Sequence, residues 1–297
     1  MRTLRLILNG KSAGEPAVRT AVETARAAGH IIDVRPTWEA GQVAVFAREA
    51  VEQGVDVVIA GGGDGTVNEV AQGLLSFATE RMPALALLPL GTANDLARSL
   101  GVPLDDPAAA LLIAAEGPIT DIDVGYVNDR PFVNVASGGF GAEVTARTPP
   151  ELKEAIGSAA YSITGLLNAS QLAPYPCCLI AEGQTLELSL AMLAIGNGRL
   201  AGGGYEVAPQ AKFDDGLLDL VLVSAVGLAE LPTLVGELFN VTDENNQHIL
   251  YRQLAEFELH FVDDFQLNLD GEPLRAKDFT VRVQRNALRI VSPLPNP

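Results

Sequence analysis

Basic residues, cysteines and long apolar runs are all scarce in this sequence of 297 residues. Lysine and arginine number 20 against 37 aspartates and glutamates, which gives a formal net charge of −17. Binding a polyphosphate backbone needs a basic face, so this balance argues against nucleic acid as a partner. It also argues against purely electrostatic docking on an anionic membrane.

The two cysteines, Cys177 and Cys178, are adjacent, a spacing that rarely allows a disulfide and matches no zinc motif. We interpret them as small apolar residues of a reduced protein. No apolar run approaches the roughly 18 residues that a membrane span requires. The N-terminal segment also has too few apolar residues for a signal peptide. The sequence therefore predicts a cytoplasmic protein without a transmembrane segment.

The first third of the chain alternates strand-like and helix-like segments. Apolar runs and their flanking residues predict strands at 4–9, 31–35, 55–60 and 84–89, and helices at 17–28, 42–53, 67–78 and 107–115. This alternation is typical of a parallel sheet that is covered by helices on both faces. We therefore predict an N-terminal three-layer α/β domain.

The rest of the chain consists mainly of short strand-like runs. Asn128-Asp129 predicts a hairpin turn, and residues 150–169 predict one more helix. The runs that follow are CCLIAEG, TLELSLAMLAIGN, LLDLVLV, FELHFV, FQLNLDG, FTVRVQ and ALRIVS. Their close spacing favours an antiparallel β-sandwich or barrel. We place the two domains at residues 1–127 and 128–284, and we expect the ligand site in the cleft between them.

A glycine-rich loop follows the third predicted strand. The stretch IAGGGDGTVNEV (59–70) has four glycines within five positions, and such bare backbone before a helix attracts phosphate. Asp64 stands at its centre, where a P-loop would have lysine. A carboxylate beside phosphate is costly unless a cation lies between them, so Asp64 indicates a Mg²⁺ ligand or a group that orients an attacking hydroxyl. The alternative is a turn in which Asp64 caps the helix, while Thr66 and Asn68 are further candidate caps or ligands.

Two familiar nucleotide-binding motifs are excluded by their spacing. NGKS at 9–12 ends like a Walker A loop, but Arg5 stands where the first glycine belongs. The pattern G-x-G-x-x-G fails because Thr66 or Asn68 takes its last position. A second loop, LPLGTANDLAR (88–98), again leaves a predicted strand and enters a helix. Because parallel strands end at one edge of their sheet, we expect the two loops to lie side by side as a nucleotide cradle.

GGGDGTVNEV followed by LPLGTANDLAR resembles the diacylglycerol kinase catalytic domain, and the chain is similar nearly end to end to the bacterial YegS-type lipid kinases. The segments LILNGKSAG, RPTWEAG, NVASGGFGAE, IGNGRLAGGG, FDDGLLDL and LNLDGEPL carry that resemblance in order. It implies an α/β nucleotide-binding domain, a β-sandwich domain, ATP in the cleft, and a return of residues 285–297 to the first domain. The implied reaction transfers the γ-phosphoryl group of ATP to a free hydroxyl of a phosphatidylglycerol- or diacylglycerol-class lipid.

The resemblance also implies a set of site residues. ATP would contact Thr37, Gly62, Gly63, Asp64, Gly65, Thr66, Val67, Asn68 and Thr92. Glu272 in LDGEP matches the family's general base, with Asp64 as a second catalytic residue, and Asp123 matches an acid that faces the cleft. Mg²⁺ would accompany the nucleotide, and a metal loop would combine the Asp215 carboxylate with the carbonyls of Lys212 and Leu217. A second structural cation such as Ca²⁺ is left open. From the residues alone, the two acidic turns, one in FDDGLLDL and one in LNLDGEPL, would be interpreted as ordinary structural turns.

Two other functions remain open. NAD kinase belongs to the same superfamily and also carries a GGDGT loop, although the following VNEV and PLGTAND fit lipid kinases better. A non-catalytic nucleotide sensor would keep the glycine loops without a working base, and the presence of Glu272 and Asp64 argues against it. We expect ATP and a lipid at a membrane or micelle surface as partners, with transient peripheral binding, and we leave a homodimer open.

Overall fold

The computed structural model describes residues 2–77, 82–139 and 174–293, and the helix predicted at 150–169 lies outside these ranges. The chain divides into two compact units. The first comprises Met1–Val124, Phe213–Asp215 and Gln284–Pro297, and the second comprises Gly125–Lys212 and Gly216–Val283.

The first unit is built on a parallel sheet. Its elements are β1 (Thr3–Leu8), α1 (Pro16–Ala27), β2 (Ile31–Pro36), α2 (Gln42–Glu52), β3 (Val57–Gly62), α3 (Asp64–Leu75), β4 (Ala84–Pro89), α4 (Asp95–Ser99) and α5 (Pro107–Glu116). The strands lie in the order β4, β3, β1, β2, all parallel. The strands β3 and β4 are buried along their whole length, as expected for a sheet covered on both faces.

The helices cover both faces of this sheet. The chain crosses in one direction from β1 to β2 and in the opposite direction from β2 to β3 and from β3 to β4. Because such crossovers are right-handed, α1 lies on one face and α2 and α3 lie on the other. Accordingly α1 packs against α5, and α2 packs against α3. The predicted three-layer α/β domain is confirmed. The order in which strands are added to the sheet reverses at β1, and α/β proteins bind ligands at such switch points.

The third helix begins earlier than predicted. It was expected from residue 67, but α3 starts at Asp64 directly after β3, with Gly63 as its N-cap. Thr66 and Asn68 therefore lie inside the helix, where both side chains are buried, and they are not caps. The glycines at 61–65 led to the prediction of a longer loop before α3 than the structure has.

Arg5 holds α2 against the sheet. Its side chain is 2% exposed, although it lies in the apolar run of β1. The guanidinium donates to Asp33 on β2 at 2.9 Å and to Gln53 at the end of α2 at 2.7 Å. A buried charge is tolerated only with such partners. The sequence placed Arg5 on the strand correctly but gave no indication of these bonds.

The second unit is an antiparallel β structure. Its elements, two of which also contribute residues to the first unit, are β5 (Ile119–Val127), β6 (Arg130–Phe132), β7 (Val135–Gly139), β8 (Tyr175–Ala181), β9 (Gln184–Gly196), β10 (Leu200–Ala201), β11 (Tyr205–Glu206), β12 (Leu218–Ser224), α6 (Leu231–Glu237), β13 (Ile249–Leu254), β14 (Glu256–Leu269) and β15 (Glu272–Val291). The long strands β9 and β14 each pair with both β7 and β8. The predicted antiparallel β-sandwich is confirmed.

Two strand predictions in this unit need correction. FELHFV and the FQLNL part of FQLNLDG belong to the single strand β14, which ends at Leu269 and whose register with β15 shifts between His260 and Phe265. FTVRVQ and ALRIVS likewise belong to the single strand β15. The acidic residues between the first pair resemble a turn in the sequence, but the strand accommodates them as a bulge. The hairpin predicted at Asn128-Asp129 is confirmed, and both residues are left-handed, with φ of 47° and 63°.

Phenylalanines of β14 and β15 form the centre of the second core. The rings of Phe261 and Phe265 stack with centroids 4.1 Å apart, and Phe279 meets both edge-on. Cys177 is buried in the same core, and burial raises the pKa of its thiol to about 12. Both cysteines are free thiols, Cys177 buried and Cys178 half-buried.

We expect a pH-dependent contribution to stability from His260. Its Nδ1 lies 2.7 Å from Asp278 Oδ1 and its Nε2 lies 3.0 Å from Glu258 Oε2. These hydrogen bonds, that to Asp278 first, raise the pKa of His260 above its usual 6.5. The stabilisation is therefore complete below about pH 6.5 and is lost as the pH rises through the folded-state pKa.

The groups are exposed, so we expect no more than about 1 kcal/mol from this cluster. Urea unfolding of the protein and of His260→Gln at pH 6 and pH 8.5 measures it. The substitution should lower the free energy of unfolding at pH 6 and have little effect at pH 8.5. An equal loss at both pH values would contradict the prediction.

Candidate active site

The two predicted glycine loops lie side by side at the carboxyl edge of the parallel sheet. The N–H of Leu90 donates to the carbonyl of Gly62 at 2.9 Å. A Cβ on Gly63 would lie 3.1 Å from the Cα of Gly91, and a Cβ on Gly91 would lie closer still to Gly63. A side chain at position 91 would therefore clash with the backbone of Gly63, and one at position 63 would push the backbone of Gly91 away by a few tenths of an ångström. The expected juxtaposition of the loops is confirmed.

Asp64 links the first loop to the second. Its Oδ2 accepts a hydrogen bond of 2.8 Å from the N–H of Asn94, the residue that precedes α4. The Asn94 side chain bonds in turn to both the N–H and the carbonyl of Gly91. Asp64 therefore does not cap its own helix, as the structural alternative proposed, but fixes the start of the neighbouring one.

The surroundings of Asp64 disfavour its charge. Burial, and then the nearby Asp95 carboxylate, raise the pKa of Asp64 above its usual value, while the backbone N–H groups of Leu96, Asn94 and Asp95 lower it. The balance is upward, so the ionised carboxylate lacks part of the stabilisation that water would give it. A cation bound beside Asp64 would supply that stabilisation.

The loops after β1 and β2 extend the same edge. The Asn9 amide is 3.4 Å from the Thr66 hydroxyl, and the Asn9 N–H donates to the Gly61 carbonyl at 2.8 Å. The Gly10 N–H donates to the Thr37 hydroxyl at 3.3 Å. These contacts join the predicted residue Thr37 to the glycine loop through Asn9, which the sequence analysis did not single out. Its position at the end of β1 before a glycine was the available signal.

The predicted nucleotide residues surround an open helix start. Gly62 ends β3, while Asp64 and Gly65 form the first turn of α3, whose N-cap has no side-chain hydrogen bond. A Cβ on Gly65 would meet nothing within 4 Å, so this side of the turn is open. Thr92 is exposed on the second loop, and Val67 is buried with Thr66 and Asn68 inside α3. Backbone N–H groups at an open helix N-terminus suit a phosphate.

The predicted metal ligands lie on one short segment that both units share. Asp215 is counted with the first unit, and Lys212 and Leu217 are counted with the second. Among the described residues no group of three or more acidic, histidine or cysteine side chains is arranged to hold a metal ion. The predicted set is of another kind, because it combines one carboxylate with two backbone carbonyls.

Asp123 fixes the part of this segment that belongs to the first unit. Its N–H donates to the Phe213 carbonyl at 2.6 Å, and its Oδ1 accepts from the N–H of Asn286 at 2.8 Å. The Arg285 guanidinium donates to the Asp215 carbonyl at 3.1 Å. Asp123 is 1% exposed, so in the structure it is a buried group that connects two chain segments.

The two carboxylates of the acidic turn in the second unit, Asp270 and Glu272, have different surroundings. Asp270 and Gly271 are both left-handed, with φ of 49° and 102°. The Asp270 carboxylate accepts hydrogen bonds from three successive backbone N–H groups, those of Val133, Asn134 and Val135. Asp270 is therefore structural, whereas Glu272 opens β15 and is half-buried.

Three of the motif segments meet at this turn. The N–H groups of Asn197 and Gly198 donate to the Asn134 carbonyl at 2.9 and 2.8 Å. The Asn197 side chain donates to the Val133 carbonyl at 2.6 Å, and that of Asn134 donates to the Leu200 carbonyl at 2.8 Å. The second unit thus brings NVASGG, IGNGR and LNLDGE together. Neither asparagine is marked in the sequence as a residue that joins these segments.

We predict that Gly91→Ala destabilises the first unit. The new methyl group would press on the Gly63 backbone, and overpacking of this kind costs about 1–3 kcal/mol. Gly65→Ala is the matched control, because its methyl group enters open space on a helix, where alanine is favoured by up to about 1 kcal/mol. Urea unfolding compares the two. Equal stability of the two variants would refute the close approach of the loops.

We predict that Asp270→Ala destabilises the second unit by about 2–4 kcal/mol, because three backbone N–H groups lose a charged acceptor. Asp264→Ala removes an exposed aspartate from β14 and should cost less than about 1 kcal/mol. Thermal and urea unfolding give both values. A cost for Asp270→Ala no larger than that of the control would contradict its structural role.

Comparison with known proteins identifies related sequences for both units. Residues 3–127 match the family model of the diacylglycerol kinase catalytic domain, and residues 134–292 match that of the YegS C-terminal NAD kinase beta sandwich-like domain. A "Probable lipid kinase YegS-like" from Chromohalobacter salexigens is 47% identical and covers 97% of this chain and 92% of its own. A "Probable lipid kinase YegS" from Salmonella arizonae is 43% identical, covering 96% and 94%.

A solved structure shows the same fold. A Bacillus anthracis crystal structure described as a "putative diacylglycerol kinase" has a TM-score of 0.82 and 27% identity, covering 99% of this chain and 97% of that one. Together, the matches cover both units and nearly the whole chain. The chain therefore belongs to the YegS-like lipid kinase family, whose members carry the diacylglycerol kinase catalytic domain.

Proposed function

We propose that the protein is an ATP-dependent lipid kinase that transfers the γ-phosphoryl group to a free hydroxyl of a glycerolipid, of the phosphatidylglycerol or diacylglycerol class. The observation that carries the proposal is the pair of loops joined through Asp64, Asn94 and Gly91 at the carboxyl edge of the sheet. An open helix start beside close-packed glycines suits polyphosphate. The lipid acceptor is supported by the names of the relatives.

The residues proposed for ATP are Thr37, Gly62, Gly63, Asp64, Gly65, Thr66, Val67, Asn68 and Thr92. In this proposal, backbone N–H groups of the first turn of α3 bind phosphate oxygens, with the open side of Gly65 giving room for them. Asp64 would hold a divalent cation of the nucleotide, and the positive charge of that cation would offset the cost of the buried carboxylate.

We propose Mg²⁺ as the cation of the nucleotide. A second site would use the Asp215 carboxylate with the carbonyls of Lys212 and Leu217. Oxygen ligands of this type suit Mg²⁺ or Ca²⁺ rather than a softer metal, so a structural Ca²⁺ is the alternative occupant.

Glu272 is the proposed general base. Bound ATP with its cation supplies the phosphoryl group in a charge-neutralised form. The lipid hydroxyl oxygen forms a bond to the γ-phosphorus while the bond from that phosphorus to the bridging oxygen breaks, and ADP leaves. Glu272 takes the hydroxyl proton, and Asp64 contributes to orienting the attacking hydroxyl. The Asp270 carboxylate supports this role by fixing the turn that presents Glu272.

A lipid acceptor implies that the protein acts at a membrane or micelle surface. None of the helices described in the structure is long and apolar enough to cross a bilayer. We propose that the protein meets its lipid by transient peripheral contact with a membrane or micelle. A homodimer is compatible with this proposal and is not required by it.

The function is tested by following phosphate from labelled ATP with Mg²⁺. The acceptors are diacylglycerol, phosphatidylglycerol, sphingosine and ceramide in mixed micelles, with soluble NAD in a parallel reaction. Label in a glycerolipid is the expected result. Label in NAD alone would assign the protein to NAD kinase, and nucleotide binding without transfer to any acceptor would assign it to the sensors.

We predict that Glu272→Gln lowers kcat about 10²- to 10⁴-fold and leaves the free energy of unfolding nearly unchanged, because it removes the proton acceptor at constant shape. Glu256→Gln, an exposed residue of β14, is the matched control and should retain full activity. Initial rates with the lipid identified above provide the measurement. Full activity of Glu272→Gln would remove Glu272 from the mechanism.

A further inference from the structure

Trp38 is exposed beside the candidate nucleotide loops. It is the only tryptophan in the chain, and 88% of its surface is accessible. Tryptophan is usually well buried, so an almost fully exposed ring is the less common case. Trp38 directly follows Thr37, whose hydroxyl accepts from the Gly10 N–H. The exposed ring is thus one residue from the loops that the proposed function uses.

The backbone that carries this ring is held in place. The N–H groups of Trp38 and Glu39 both donate to the Gln42 side-chain oxygen, at 2.6 and 3.2 Å. The Gln42 N–H donates back to the Glu39 carbonyl at 3.4 Å. These hydrogen bonds join residues 38 and 39 to Gln42 in a turn at the start of α2. Because the backbone at this position is already ordered, only the side-chain torsions of Trp38 lose freedom when the ring binds a partner.

The sheet order sets the distance between the ring and the phosphate loop. The strand β1 lies between β3, which leads to the glycine loop, and β2, which leads to Trp38. Two strand spacings amount to about 10 Å. The contacts from Thr37 through Gly10 and Asn9 to Thr66 span that interval. An extended nucleotide with its phosphates at α3 can follow this row of loops toward Trp38.

We infer that Trp38 stacks on the base of the bound nucleotide and is a determinant of nucleotide affinity. The inference rests on the proposed function only in taking the loops of the first unit as the phosphate site. Stacking on tryptophan accepts any base because every base has a π face, and it favours the larger purines. ATP and GTP are therefore expected to bind more tightly than CTP and UTP.

A lipid surface fits Trp38 less well. Membrane-surface segments present several apolar residues together with basic ones. Besides Trp38, the exposed large apolar residues of the first unit, as far as the structure describes it, are Ile31, Val45 and Leu112. Val45, in the first turn of α2, is the one that follows Trp38 closely in the chain. Ile31 is at the opposite end of β2, and Leu112 is on α5, which covers the other face of the sheet. The acidic Glu39 follows Trp38 in a chain of net charge −17.

The single tryptophan makes the test direct. Its fluorescence is titrated with ADP, ATP and CTP, each with Mg²⁺, and with inorganic tripolyphosphate, which has no base. Stacking predicts quenching by the nucleotides and a much smaller change with tripolyphosphate. Vesicles of phosphatidylcholine and phosphatidylglycerol are added in a parallel series. A blue shift with vesicles, together with no response to nucleotides, would overturn the inference in favour of a membrane contact.

Variants measure the contribution to binding. Trp38→Ala should raise the Kd for ATP roughly 5- to 100-fold by calorimetry, and Trp38→Phe should fall between it and the unaltered protein. With lipid acceptor, KM for ATP should rise in Trp38→Ala while kcat stays close to that of the parent. Phe239→Ala removes a similarly exposed ring from the second unit and should change neither constant.

The outcomes separate the two proposals. Unchanged ATP affinity in Trp38→Ala, in an active kinase, overturns the stacking inference and leaves the proposed function intact. Base-dependent quenching in a protein that phosphorylates no acceptor supports the inference and overturns the kinase.

Discussion

The candidate nucleotide site depends on the close approach of Gly63 and Gly91. A side chain on either residue would push the two loops apart. With both loops in contact, the Asp64 carboxylate reaches the Asn94 N–H, and Asn94 in turn holds Gly91. The parallel pairing of β3 and β4 brings the loops to this distance, and the absence of two side chains lets them meet. If the proposed phosphate binds here, the groups around it are positioned by backbone geometry rather than by flexible side chains.

Asp64 both links the two loops and carries a charge that its surroundings disfavour. It joins the loops, yet burial and the nearby Asp95 oppose its ionisation. A protein that needed only the link could use a neutral acceptor there. In the proposed site, the cation of a nucleotide would supply a partner of opposite charge for this carboxylate. In this way one residue connects the stability of the fold to the proposed chemistry.

Two of the motif segments, LDGEP and LILNG, show how far a motif can be interpreted from the sequence alone. In LDGEP the residue pattern alone offers two carboxylates, Asp270 and Glu272, and only the family resemblance favours Glu272. The fold gives Asp270 three backbone donors that lie more than a hundred residues earlier in the chain, and this leaves Glu272 as the candidate for chemistry. In LILNG, Asn9 was equally unmarked until its contact with Thr66 placed it beside the glycine loop.

The sequence by itself determined the fold class and the pairing of the loops. Apolar runs separated by glycines and helix-forming segments specify parallel strands, and parallel strands must end at one edge. The tertiary structure alone decided which polar side chains are structural. Arg5 bonds to residues 28 and 48 positions away, and β14 passes through its acidic residues as one strand. Such pairings depend on the three-dimensional proximity of distant segments, for which local hydrophobic patterns carry no signal.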